Sequence, residues 1–92
     1  MSHQHYELVI APTARRKLTE QLPEPVAFAA HEFIIGPLLE NPYWVGKRLR
    51  PPLDDRHSAR RGTYRVLYRI DDTRRLVTVV GVVARADAYR PH

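Results

Sequence analysis

No cysteine occurs among the 92 residues, so disulfides, cysteine-held zinc and thiol catalysis are excluded. No apolar run approaches bilayer-spanning length, and the N-terminal Met1-Ser2-His3-Gln4-His5 lacks a signal-peptide pattern. A cytoplasmic protein fits best. Histidines are too scattered for metal-ligand spacing: His3, His5 and His92 lie near the ends, His31 in a helical stretch, and His57 without a companion motif. No metal and no cofactor are expected. Lysine is scarce as well, because thirteen of the fifteen cations are arginine. Arginine presents a planar, permanently charged fork that suits phosphate.

What is present is a chain of one-domain length, 1–92, with 43% hydrophobic residues, enough for a single modest core. Its charge is uneven. Residues 1–45 hold three cations against five acids, net −2, and residues 46–92 hold twelve against five, net +7. A basic half of this kind points to a polyanion or an acidic protein partner. A solvated, soluble surface is the plain alternative.

Tyr6–Ile10 alternates as a strand. Thr13 is placed to cap a helix over about 14–21, and Pro25 to open a second over about 25–35. Its stripe is Val26, Ala29, Ala30 and Phe33; Gly36-Pro37 either ends or kinks it, with Leu38-Leu39-Glu40 available for a further turn. Residues 41–55, with four Gly/Pro breaks and an Asp54-Asp55 pair, read as a basic, aromatic loop. Strands follow over 56–61, 63–70 and 76–84, with Asp71-Asp72-Thr73-Arg74 as a turn. The last is apolar on both faces, which predicts a central, doubly covered strand. The order β-α-α-β-β-β predicts an α+β fold, two helices packed on a small, mainly antiparallel four-stranded sheet.

Parity along 63–70 separates Tyr64, Val66, Tyr68 and Ile70, facing the helices, from Arg65, Leu67 and Arg69. A charge such as Arg65 amid apolar neighbours either pairs with an acid, Asp87 being the obvious one, or points into a wet, concave site. In the preceding strand Arg56, Ser58 and Arg60 share a face that can lie beside Arg65, and His57 and Arg61 take the other. That row is either a guanidinium patch for phosphate or a charged edge that resists strand pairing. Lys47, Arg48 and Arg50 add charge from the loop. Tyr89 either anchors the tail or offers a hydroxyl and a stacking face.

The segments Leu49-Arg50…Leu53, His57-Ser58-Ala59-Arg60-Arg61-Gly62-Thr63-Tyr64-Arg65-Val66-Leu67-Tyr68-Arg69-Ile70-Asp71-Asp72 and Arg85-Ala86-Asp87-Ala88-Tyr89-Arg90 resemble the RelE family of toxin–antitoxin toxins, within the RelE/ParE superfamily. The resemblance spans nearly the whole chain and implies a microbial-RNase-type fold. It also implies metal-independent, ribosome-dependent cleavage of mRNA in the A site, by 2′-OH attack on the adjacent phosphate. By position it assigns catalytic parts to Arg65, Arg85, Tyr89 and Arg56. Arg60, Arg61, Lys47, Arg48, Arg50, Ser58 and His57 fall to RNA binding. It implies a RelB-like antitoxin, and operator DNA contacted only through the antitoxin complex. Ser58 stands where some members have lysine, Arg56 replaces another lysine, and Ala84 stands where many have histidine. The general base is therefore open, with Tyr89 first, then His57 if the strand register brings it into the site. ParE-type relatives imply a competing function, inhibition of DNA gyrase without nuclease activity. A third is a catalytically silent member acting only in a repressor complex.

Overall fold

The computed structural model describes residues 6–84. Strand β1 (Glu7–Ile10) leads into helix α1 (Pro12–Arg16), which continues as a π-helical turn over Lys17–Gln21. Helix α2 (Glu24–Phe33) likewise continues as a π-helical turn over Ile34–Leu38. Four strands follow: β2 (Lys47–Arg48), β3 (His57–Arg61), β4 (Tyr64–Asp71) and β5 (Leu76–Ala84). They form one mixed five-stranded sheet in the order β1-β5-β4-β3-β2. β1 runs parallel to β5, and the other neighbours are antiparallel. The fold is α+β as expected, with the helices packed on one face.

The differences from expectation have local causes. α1 starts with Pro12 in its first turn and Ala11 as N-cap, with no side-chain capping bond, so Thr13 lies inside the helix. Of the two readings of Gly36-Pro37 the structure takes the one with a further turn over Leu38-Leu39-Glu40. The wide π-turn carries the chain past Pro37, which lacks an N–H, and seats Ile34 and Leu38 fully in the core. Ala29 of the expected stripe is exposed, and its carbonyl accepts the Tyr64 hydroxyl at 3.1 Å. The fifth strand, β2, falls in the stretch expected to be loop. Two polar residues carry no periodicity, but Lys47 pairs with Ser58 and Arg48 with His57, and a further bond runs from Leu49 N–H to Arg56 C=O (2.9 Å).

β5 is not doubly covered. Val77, Val79, Val82 and Ala84 are buried, while Leu76, Thr78 and Val80 are only half-buried and Val83 is exposed. The register shifts opposite Leu67/Tyr68: Leu67 pairs with Gly81, but Tyr68 with Val79. The extra residue, Val80, moves the inward set from odd to even positions. A bulged one-sided strand thus looks apolar on both faces in sequence.

Under the helices the core joins Ala14, Ala30, Phe33, Ile34 and Leu38 to Tyr64, Val66, Tyr68, Val77, Val79 and Val82. Tyr68 is fully buried, and its hydroxyl donates to the Pro42 carbonyl at 2.6 Å. Burial pushes that phenol up to about 12. Gly46 passes tightly over this point, where a Cβ would lie 2.8 Å from the Ser58 carbonyl oxygen and collide with the Tyr68 hydroxyl.

The β4–β5 turn is clasped from outside. Asp72 accepts the Tyr6 hydroxyl at 2.7 Å and also the Tyr43 hydroxyl. The Arg75 guanidinium lies 4.1 Å above the Tyr6 ring. Arg75 sits at φ 52°, and its carbonyl receives the Glu7 N–H at 2.7 Å. The two phenols, Tyr43 first, hold the Asp72 carboxyl below the usual range, and that bond pushes Tyr43 up to about 12.

Two outcomes are expected. Gly46→Ala forces the loop off Tyr68 and Ser58 and costs about 1–3 kcal/mol, read by urea denaturation. Asp72 contributes stability that is present above its ordinary value of 3.8 and lost as pH falls through its lower folded value. Wild type should therefore exceed Asp72→Asn in thermal midpoint near neutrality and converge with it in strong acid.

Candidate RNA-binding face

The face of the sheet away from the helices is built by register. Ser58 opposes Leu67 and Arg60 opposes Arg65 across β3 and β4, and Lys47 opposes Ser58 across β2 and β3. Directly opposed residues point to the same side. The parity of β4 puts Arg69 there as well, opposite Thr78. Arg60, Arg65, Arg69 and Lys47 are exposed, and Ser58 and Leu67 are half-buried. Two arginines in direct cross-strand opposition repel one another. Such a rung suits an anion seated between its two forks. Asp87, the sequence-level partner for Arg65, lies outside the described residues, as do Arg85 and Tyr89.

The expected site residues divide by parity. Lys47, Ser58, Arg60 and Arg65 come together on this face. Arg48, His57 and Arg61 belong to the other. Arg61 lies with its guanidinium 4.6 Å from the centre of the Phe33 ring, over α2. His57 is buried at 8% exposure, stacked on Tyr68 (centroids 5.6 Å apart, 28° between planes) and edge-on to Tyr43 (5.6 Å, 82°). The register therefore does not bring His57 to the arginine face, and its part is in packing. Arg56 precedes β3 by one residue, with its Nε 3.5 Å from Asp55 Oδ1. Arg50 is exposed in the 49–56 loop. Arg69 was legible as a member of the Arg65 face but not as a site residue, since its alternation with Leu67 also describes a solvated surface. Among the described residues no group of three or more His, Asp or Glu is arranged to hold a metal ion. No helix among them is long and apolar enough to cross a membrane.

Comparison with known proteins agrees with the fold. The chain is 48% identical over 91 residues to "Toxin RelE" of Mycobacterium tuberculosis, covering 98% of this chain and 93% of the relative. The chain belongs to the RelE family of toxin–antitoxin toxins. It is also 48% identical over 85 residues to "Toxin RelG" of the same organism, covering 92% of this chain and 97% of that one. The toxin–antitoxin complex RelBE2 of M. tuberculosis superposes with TM-score 0.87 at 45% identity, over 94% of this chain and 98% of that one. The isolated Escherichia coli RelE toxin shares the fold at TM-score 0.68 and 23% identity, over 86% of this chain and 83% of that one. No family model matches.

Burial, then the charge of Arg48, lowers the His57 pKa, and its Nδ1 has no hydrogen-bond partner among the described residues. A lowered histidine pKa contributes stability above the ordinary value of 6.5, lost as pH falls through the folded value. The thermal midpoint should drop between pH 7.5 and 5, and His57→Phe, which keeps the stack on Tyr68, should flatten that slope.

Proposed function

We propose that this RelE-family toxin is a ribosome-dependent mRNA endonuclease that acts in the cytoplasm and is neutralised by a RelB-like antitoxin. The Arg60–Arg65 rung on the open face carries this reading. In the proposed reaction the ribose 2′-OH gives up its proton and attacks the neighbouring phosphorus. The bond to the 5′-oxygen breaks, and that oxygen takes a proton. The doubly charged phosphorane between these states needs cations already in place, and such preorganised stabilisation is usually the largest catalytic contribution. Arg65 and Arg60 oppose each other without rearrangement and are suited to that task. Lys47 stands beside Ser58, and its charge reaches the part of the face where Ser58 itself brings none. Arg85 and Tyr89 complete the proposal by position, with Tyr89 as the base that takes the 2′-OH proton. Arginine hardly deprotonates, and His57 is on the opposite face.

The antitoxin belongs to the same reading. The RelBE2 relative is seen as a toxin–antitoxin complex. A basic half with net charge +7 suits an acidic or amphipathic segment laid over it. Operator DNA is contacted through that complex.

The test is primer extension on a reporter mRNA in a translating extract. Purified protein should produce cuts at a fixed position within translated codons. Arg65→Ala should lower cleavage by about 10²–10³-fold, the cost of removing one oxyanion-stabilising donor. Inhibited translation without new cuts overturns the nuclease reading, and a supercoiling assay then tests gyrase as target.

A further inference from the structure

The open face holds a second arginine position that the proposed chemistry does not use. Along β4 the residues on this face are Arg65, Leu67, Arg69 and Asp71. Arg65 and Arg69 are separated by four residues of strand, about 13 Å. Both are exposed, and half-buried Leu67 lies between them. Arg69 makes no ion pair among the described residues. Across from it, the β3–β4 register ends with His57 opposite Tyr68. Arg56 lies just before that pairing begins, with its Nε 3.5 Å from Asp55 Oδ1, so Arg69 stands on this face without a paired arginine opposite it. Arg60/Arg65 and Arg69 thus stand on either side of the Ser58/Leu67 rung, with Lys47 beside Ser58.

The acids on this face mark where the track ends. Asp71 opposes Leu76, which in turn opposes Glu7, so carboxylates stand at the margin just beyond Arg69. The Asp71 Oδ1 accepts the Arg74 N–H at 3.1 Å, which turns it into the hairpin. A polyanion is therefore drawn onto the face between the two arginine positions and repelled past the second.

We propose that Arg69 clamps a second backbone phosphate of the RNA, about two linkages from the one held by Arg60 and Arg65. The inference rests on the nuclease reading and adds a substrate-length requirement to it. Leu67 supplies an apolar surface for the intervening ribose or base. A protein with one clamp grips any single phosphate equally well. A protein with two gains affinity only when the RNA is long enough to reach both.

The experiment uses non-cleavable 2′-O-methyl RNAs of two, three, four and five nucleotides. They are titrated by NMR into wild-type protein and into Arg69→Ala and Arg65→Ala at low salt. Arg69→Ala should bind the dinucleotide like wild type and the tetranucleotide and pentanucleotide severalfold more weakly. Its salt dependence on the pentanucleotide should fall by about 0.7, one phosphate contact on a single strand. Arg65→Ala should weaken every length. Equal losses at all lengths in Arg69→Ala, or none, overturn the second clamp and leave the nuclease reading intact. An Arg65→Ala protein that binds every RNA like wild type overturns both.

Discussion

Every charge on the working face stands where it does because Arg60 opposes Arg65 in the β3–β4 pairing. A slip of one residue in that register would turn each side chain to the opposite side of the sheet. Arg65 would be driven under the helices and Tyr64 out to solvent. The pairing is held by burial on the other side. His57 stacks on Tyr68 one strand away, and Ala59 and Val66 are buried opposite each other. Gly46 then allows the 41–46 loop to close over the Tyr68 hydroxyl. The hydrophobic face sets the geometry, and the charged face inherits it.

That division explains why the two families of cations differ. Arg61 and Arg48 sit on the packed side and serve it, Arg61 by covering the Phe33 ring and Arg48 by its field on His57. Among the described residues, Arg60, Arg65 and Arg69 on the open side make no ring contact or ion pair. The direct opposition of Arg60 and Arg65 is a standing repulsive cost, and the buried face beneath holds both in place. The acids at the Glu7–Leu76–Asp71 margin grade the field along the strands, so the face has a direction as well as a sign.

Much of this was legible in the chain. The period-2 pattern of Tyr64 to Ile70 separates core from surface correctly, and the same parity sends His57 and Arg61 away from Arg65. Three features were hidden for physical reasons. β2 is two residues long, too short for any period, and exists only because β3 offers it an edge. The bulge at Val80 leaves no mark in composition, since it replaces one valine with another of opposite facing. The passage of α2 through Gly36-Pro37 depends on a wide turn that burial of Ile34 and Leu38 stabilises against local preference.

The parallel pairing of β1 with β5 ties Glu7 to Leu76, 69 positions further along a chain of 92 residues. No local contact can stand in for it, and closing so long a loop delays the completed sheet. The first strand made must wait for the last. While the chain is still being synthesised its arginines hang on an unfinished ladder, with neither the opposed forks nor the clasp at Asp72 fully assembled.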